Sequence, residues 1–176
     1  MIIGLVGKSG SGKDTVAGFL KESGAYTIGL ADPLKEFCKE VFDFSDAQLY
    51  GPSANRNAID ERWGITPRHA LQTLGTDWGR SLHPDVWLRY AIRRAKVLEA
   101  ACRTVVITDC RFQNEAAAIQ AAGGEIWKIE RPGAGLSGAA GDHASEQEID
   151  RIPAHRFIMN DGSLEDLRAA VIRISR

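Results

Sequence analysis

Residues 7–15, GKSGSGKDT, decide the fold, because they follow the apolar run MIIGLV and precede a helical pattern. Gly7, Gly12 and Lys13 have the spacing of a phosphate-binding loop, in which backbone N–H groups wrap the phosphates and the lysine bridges the terminal pair. The helix that follows adds the positive end of its dipole. The alternative is a glycine-rich turn that binds nothing. The strand before the loop and the helix after it favour a triphosphate site, formed by Gly7, Ser9, Gly10, Ser11, Gly12, Lys13, Asp14 and Thr15.

Asp14 stands where such a loop usually has serine or threonine. It cannot supply the hydroxyl that usually reaches magnesium, but its carboxylate can hold Mg²⁺ through a water molecule, and the Thr15 hydroxyl is available for a phosphate oxygen. A second acidic group is expected where another strand ends, and Asp109 ends the apolar segment RTVVITD. The alternative for Asp109 is an aspartate that caps a turn. The sequence predicts that Asp14 and Asp109 bind Mg²⁺ through water.

The rest of the chain alternates between strand and helix patterns. Strands are predicted in MIIGLV, AYTIGL, RTVVITD, EIWKIER and HRFIMND, and helices are predicted between them and at the C-terminus, where Ser163 is a candidate N-cap. Parallel strands need crossover connections, so this order predicts an α/β fold with a five-stranded parallel sheet covered on both faces.

Two segments do not fit this alternation. Residues 45–67 are polar and turn-rich, and too long for a simple connection. Residues 132–142 are rich in glycine and have little to pack with. We predict one domain over residues 1–176, with an acceptor-binding insertion at about 45–90 and a lid at about 131–147. The alternative is that both segments are ordinary surface loops.

Composition limits the partners and the location of the protein. Lysine and arginine number 22 against 23 aspartates and glutamates, so no general attraction to a nucleic acid polymer or an anionic membrane is expected. The three cysteines match neither a disulfide framework nor a metal site and are expected to be small buried thiols. Apolar runs are too short to span a bilayer. These features predict a soluble cytoplasmic protein.

Arg111 follows Asp109 by two residues, and its planar guanidinium matches a phosphate bidentately. It is the first candidate for the phosphate of a second substrate.

Six segments in this order resemble the deoxynucleoside monophosphate kinases encoded by bacteriophages: GKSGSGKDT, LADPLKE, LQTLGTDWGR, VITDCRFQNEAAAIQAAGG, HASE and NDGSLEDL. The resemblance covers nearly the whole chain, and GKDT is the family's own variant of the loop, so Asp14 narrows the motif to this group. It implies a P-loop kinase fold, a three-layer α/β/α sandwich of the nucleoside monophosphate kinase type. The implied reaction transfers the γ-phosphate of ATP, with Mg²⁺, to a deoxynucleoside monophosphate.

The resemblance also suggests roles for single residues. Asp32 faces the acceptor side in related kinases, although an aspartate before proline also starts helices. Arg80 is a candidate clamp for the acceptor phosphate, and Arg131 a candidate to close over the transferring group; either could instead form a surface ion pair. Lys13, Asp109, Arg111 and Arg131 are the predicted catalytic residues.

The last two segments supply further candidates. His143 and Glu146 are candidates for acceptor binding, while Ser145 beside them could instead cap a helix. The segment NDGSLEDL also resembles the C-terminal part of dephospho-coenzyme A kinases, which places Asn160 and Gly162 beside the adenine of ATP. Relatives in this family can form dimers, so a homodimer is possible.

Two other functions are open at this point. A P-loop kinase of another small acceptor, such as dephospho-coenzyme A or phosphomevalonate, would share the loop and the adenine segment. A nucleotide-dependent switch would also carry a phosphate loop, but switches usually have an Asn-Lys-x-Asp element that reads guanine, which this sequence lacks.

Overall fold

The computed structural model describes residues 1–135 and 148–175. The chain forms two compact units, one of Met1–Gly29 with Ala91–Arg176 and one of Leu30–Tyr90. The first unit contains a five-stranded sheet in the order β2-β3-β1-β4-β5, and every neighbouring pair is parallel. The strands are β1, Ile2–Val6; β2, Tyr26–Ile28; β3, Val105–Ile107; β4, Glu125–Glu130; and β5, Arg156–Met159.

Helices cover both faces of this sheet. The central strand β1 is buried along its whole length, as expected for a strand between two helical layers. On one face Ile3 and Leu5 share a core cluster with Phe19 of α1, Lys13–Glu22, and Leu167 of α8, Leu164–Ile174. On the other face Gly4 leaves room for Ile119 of α7, Gln113–Ala121, because a Cβ on Gly4 would lie 2.7 Å from the Ile119 side chain. The predicted α/β fold with a five-stranded parallel sheet is confirmed.

The last helix starts where the sequence predicts. Ser163 caps α8 by accepting a hydrogen bond from the backbone N–H of Asp166 at 3.2 Å, and the Asp166 carboxylate accepts one from the Ser163 N–H at 2.9 Å. Both hydrogen bonds satisfy backbone donors that a helix N-terminus leaves unpaired. Donation from Ser163 to the carboxylate lowers the pKa of Asp166. Because the backbone N–H of Asn160 also donates to the Glu130 carbonyl at 2.7 Å, the segment after β5 is fixed at both ends.

The second unit is helical. It contains α2, Asp32–Phe42; α3, Asp46–Tyr50; α4, Ser53–Asn57; α5, Pro67–Gln72; and a π-helical segment, Thr73–Arg80. Helix α6, Val86–Ala100, begins in this unit and ends in the first. A small core joins Cys38, Phe44, Leu49 and Ala70. The polar segment 45–67, for which the sequence pattern predicted no elements, thus contains two short helices, followed by a turn that an isolated bridge between Asp60 and Ile65 closes.

Polar side chains stabilise this unit around a buried carboxylate. Asp60 accepts hydrogen bonds from Arg62 at 2.8 and 3.0 Å and from the side-chain amide of Gln48 at 2.9 Å. Arg62 also pairs with Asp43 at 2.8 Å, and Asp43 ends α2 in the left-handed conformation with φ 52°. Trp63 donates its ring N–H to the carbonyl of Phe42 at 2.8 Å. We call the set Asp43, Gln48, Asp60 and Arg62 the Asp60 network.

Two of the three cysteines are buried, as expected. Cys38 and Cys110 are buried, but Cys102 is exposed, so the expectation of three buried thiols is wrong for Cys102. Cys102 follows α6 with φ 57°, and its backbone N–H bonds to the carbonyl of Glu99, which places it on the turn that ends the helix. Within residues 1–135 and 148–175, no helix has the length and apolar character needed to cross a membrane.

Candidate active site

The phosphate loop lies between the end of β1 and the start of α1, as predicted. The ammonium group of Lys13 donates to the carbonyls of Gly7 at 2.6 Å and Lys8 at 3.0 Å, so the lysine folds back over the start of its own loop. Gly7 allows a close approach, because a Cβ there would lie 2.5 Å from the Ser11 hydroxyl and 2.6 Å from the Ile129 carbonyl. The Lys13 side chain and the loop backbone are therefore hydrogen-bonded to each other in the structure.

The N-terminus of α1 is arranged for an anion. Its N-cap, Gly12, has φ 100° and, as a glycine, supplies no side-chain cap to the first turn. The first backbone N–H groups of a helix lack intrahelical partners and carry the positive end of the dipole, so they favour a phosphate. Asp14 is exposed in this first turn, and Thr15 is half-buried.

Four loops meet at one edge of the sheet. Because the strands are parallel, the segments that follow their carboxyl ends lie on the same side, which is where ligands bind in open α/β sheets. The phosphate loop follows β1, its neighbours β3 and β4 are followed by Asp109 and Arg131, and β5, beyond β4, is followed by Asn160. The structure thus places four of the predicted site elements at one edge.

Asp109 and Arg111 lie in the turn between β3 and α7. Asp109 is half-buried and Arg111 exposed, and the cysteine between them is buried. Burial, reinforced by Glu115 and Asp109, raises the pKa of the Cys110 thiol, so Cys110 stays protonated and inert. Glu115, 6% exposed, accepts hydrogen bonds from the backbone N–H groups of Arg111 at 2.8 Å and Phe112 at 3.1 Å. This buried carboxylate fixes the backbone that presents Arg111.

Residues before and after the undescribed segment contact the phosphate loop. Arg131 is exposed and opens a turn that the backbone N–H of Ala134 closes on its carbonyl. The N–H of Gly135 then donates to the Ser9 carbonyl at 2.9 Å. Asp150 pairs with Lys8 at 2.8 Å. Arg131 therefore starts a segment that returns to the loop within four residues.

Asn160 contacts the phosphate loop directly. Its side-chain amide donates to the Ser11 carbonyl at 2.8 Å, although 149 positions separate the two residues. Gly162 is exposed just before the Ser163 cap. Neither the hydrogen bond to Ser11 nor the role of Glu115 follows from the sequence pattern. The position of Glu115, three residues after the helix boundary at Phe112, is the one signal that could have identified it.

The remaining candidates fall into two groups. Asp32 begins α2 and Arg80 ends the π-helical segment, and both belong to the second unit. In that unit the ring N–H of Trp87 donates to the carbonyl of Gly75 at 2.8 Å, while Trp78 is 55% exposed. His143 and Glu146 lie outside the described residues, as does most of the predicted lid.

Among the residues that the structure does describe, no three histidine, cysteine, aspartate or glutamate side chains cluster as a metal site.

Comparison with known proteins identifies the family. A sequence model described as Deoxynucleotide monophosphate kinase matches residues 53–171. The chain belongs to the deoxynucleotide monophosphate kinase family. A protein of Acanthamoeba polyphaga mimivirus, named "Putative deoxynucleotide monophosphate kinase", is 37% identical over 185 residues, covering 98% of this chain and 94% of that protein. The family match begins after the phosphate loop, whereas the alignment with the viral relative covers nearly the whole chain.

Solved structures agree on the fold. Dephospho-CoA kinase from Campylobacter jejuni superposes with a TM-score of 0.61 at 13% identity, covering 99% of this chain and 94% of that one. The Thermus thermophilus protein TT1252 superposes with a TM-score of 0.53 at 23% identity, and shikimate kinase from Aquifex aeolicus with a TM-score of 0.52 at 14% identity. Each of these two alignments covers 99% of this chain and 96% of the other chain. The predicted P-loop kinase fold is confirmed, and so is the predicted family.

Proposed function

We propose that this protein transfers the γ-phosphate of ATP to a deoxynucleoside 5′-monophosphate, producing ADP and the diphosphate. The observation that carries the proposal is a phosphate loop, with its lysine in place, at the ligand-binding edge of the sheet in a chain of this family. The viral relative, which is similar over the whole length, supports the same acceptor class.

ATP is assigned to the phosphate loop. Its triphosphate would accept hydrogen bonds from backbone N–H groups of the loop and of the first turn of α1, and from the Lys13 ammonium. Ser9, Ser11 and Thr15 belong to the same proposed site. In the structure Lys13 donates to two loop carbonyls, and a triphosphate offers the ammonium stronger, charged acceptors nearby. Asn160 and Gly162, at the end of β5, complete the proposed ATP site.

Mg²⁺ fits the donor set at this edge. The described residues offer carboxylates at Asp14 and Asp109 rather than an all-protein cage. Mg²⁺ favours such a site, since it keeps several waters and binds one or two carboxylates together with substrate phosphates. Bound there, the ion would neutralise negative charge on the phosphates. Asp14 and Asp109 are the residues proposed to hold it through water.

The acceptor monophosphate is assigned to arginines. Arg111, whose backbone Glu115 fixes, and Arg80 are proposed to hold its phosphate, and Asp32 to contact its sugar or to orient its phosphate. Arg131 is proposed to contact the transferring group, because its segment returns to the loop at Ser9. His143 and Glu146 remain predicted acceptor contacts, and closure of the lid remains a prediction.

The chemistry requires charge neutralisation and positioning more than proton transfer. The acceptor phosphate is already largely ionised at neutral pH, so no strong general base is needed. Lys13, the loop amides and the arginines would hold two anionic substrates in line and stabilise the charge that spreads over the transferring group. Exclusion of water from the closed site would prevent hydrolysis.

The cell compartment and the assembly need tests separate from the activity assay. The viral relative supports a virus-encoded enzyme that acts in the host cytoplasm, and bacteriophage origin and a homodimer stay predictions.

A coupled assay of ADP release tests the function. The protein is supplied with MgATP and each of the four deoxynucleoside monophosphates, and controls contain dephospho-coenzyme A or no acceptor. ADP release that requires at least one deoxynucleotide supports the proposal and defines its base specificity. Release without an acceptor, or only with dephospho-coenzyme A, would contradict it.

A further inference from the structure

Asn160 makes a hydrogen bond that restricts the chemistry of its side chain. Its partner is the main-chain carbonyl of Ser11, at 2.8 Å. A carbonyl can only accept, so the amide must present its NH₂ group and not its oxygen to Ser11. The contact depends on a donor at position 160, and a carboxylate of the same shape cannot replace it.

The same hydrogen bond orients a backbone donor of the phosphate loop. The carbonyl of Ser11 and the N–H of Gly12 belong to one planar trans peptide unit, in which they point in opposite directions. A carbonyl held by Asn160 therefore directs the Gly12 N–H away from Asn160. Gly12 itself has φ 100°, and a Cβ there would lie 2.5 Å from the Asn160 amide nitrogen, so only glycine fits between them.

Asn160 is itself held firmly. Its backbone N–H donates to the Glu130 carbonyl of β4 at 2.7 Å. Three residues later, the Ser163 and Asp166 capping pair starts α8, whose Leu167 belongs to the main core cluster. A side chain fixed on both sides can position a glycine-rich loop, which has few side chains of its own to hold it.

We propose that Asn160 is a positioning residue of the phosphate loop: it fixes the Ser11–Gly12 peptide so that the Gly12 N–H faces the triphosphate. The inference rests on the proposed function, since it assigns the triphosphate to this loop. It differs from a contact with adenine, because the group that Asn160 acts on binds phosphate. Removal of its donor should therefore weaken a ligand that has no base.

Calorimetric titration with tripolyphosphate and with ATP tests this role. Asn160→Asp keeps the size of the side chain but replaces the amide donor with a carboxylate oxygen, which repels the Ser11 carbonyl. Asn160→Ala removes the amide group. Loss of one such hydrogen bond should weaken both ligands by a similar factor, about fivefold or more for Asn160→Ala, with a greater loss for Asn160→Asp. Gln120→Glu, in the last turn of α7, makes the same amide-to-carboxylate change and should bind tripolyphosphate like the parent chain.

Two results would overturn the inference. If both Asn160 variants bind tripolyphosphate as tightly as the parent, Asn160 does not position the loop. If ATP affinity falls while tripolyphosphate affinity is unchanged, Asn160 acts on the base instead. The titrations contain no deoxynucleotide, so failure of the acceptor assay would reject the proposed function without changing this result. Thermal unfolding of each variant identifies any general loss of folding, and in steady-state assays the KM for ATP should rise more than the KM for the acceptor.

Discussion

The phosphate loop and the Asp60 network hold their parts of the chain in opposite ways. The loop, residues 7–15, contains three glycines and is fixed through backbone carbonyls, which accept hydrogen bonds from Lys13, Gly135 and Asn160. The Asp60 network fixes the second unit through side chains: the buried Asp60 carboxylate accepts hydrogen bonds from both Arg62 and Gln48. The loop is held through its carbonyls, so backbone N–H groups are left for a ligand. The charged side chains of the Asp60 network are paired with one another, so they contribute to stability and not to ligand binding.

This difference predicts how substitutions divide between activity and stability. Removal of the loop's lysine should reduce catalysis and leave unfolding nearly unchanged. Changes in the Asp60 network should do the reverse, because its charges are neutralised within the protein.

The largest effect is expected from Lys13→Ala. The variant removes the cation assigned to the transferring phosphates, so turnover should fall by about 10³-fold or more. The hydrogen bonds from Lys13 to Gly7 and Lys8 are half-buried, so thermal unfolding should change little. ADP release and differential scanning fluorimetry measure the two quantities. Lys21→Ala, on the exposed last turn of the same helix, is the matched control and should keep parent activity. Near-normal turnover of Lys13→Ala would contradict the assignment.

A smaller effect separates two glycines of the loop. Gly10 and Gly12 have φ of 76° and 100°, so an alanine at either position is strained, by about 1–2 kcal/mol. A Cβ on Gly10 meets nothing within 4 Å, whereas one on Gly12 meets the Asn160 amide. Gly12→Ala should therefore raise the KM for ATP by about tenfold more than Gly10→Ala does, since it also displaces the Ser11–Gly12 peptide. Equal KM values for the two variants would show that contact with Asn160 does not matter.

The sequence predicts the first unit well because its signals are local. β1, the loop and α1 are consecutive, and the apolar runs of the inner strands β1, β3 and β4 report burial on both faces. What links Asn160 to Ser11 is different, since the hydrogen bond joins residues 149 positions apart, and no spacing or periodicity reports it. The resemblance identified Asn160 as an ATP residue, but only the fold shows which atom it contacts.

In the second unit, the sequence signals for helices are present but span only a few residues. Ser45 and Gln48 form a capping box at the start of α3, and the Ser-x-x-Gln spacing is a sequence signal for that helix start. The five-residue helices α3 and α4 are too short to show an apolar period, so pattern alone assigns them to loop. The π-helical segment Thr73–Arg80 has no equivalent signal in the sequence, and in the fold the Trp87 ring packs closely against its Gly79.

The smallest and most specific effect concerns the Asp60 network. Hydrogen bonds from Arg62, then from Gln48, lower the pKa of Asp60 below its ordinary value. A carboxyl group whose pKa is lowered by folding stabilises the protein above its unfolded pKa, about 4, and this contribution is lost as the pH falls through the lower, folded pKa. Asp60→Asn should therefore reduce the unfolding midpoint by several degrees at pH 7, and the difference from the parent should shrink as the pH falls below about 4. Thermal unfolding between pH 7 and pH 3 measures it.

Asp46→Asn is the matched control, because Asp46 forms an exposed ion pair with Lys39 in the same unit and should contribute little. If the midpoints of Asp60→Asn and the parent differ by the same amount at every pH, the loss comes from packing and not from the charge of Asp60. If Asp60→Asn instead lowers turnover at a temperature where it is fully folded, the contrast with the loop fails. The second unit would then use the Asp60 network for catalysis as well as for stability.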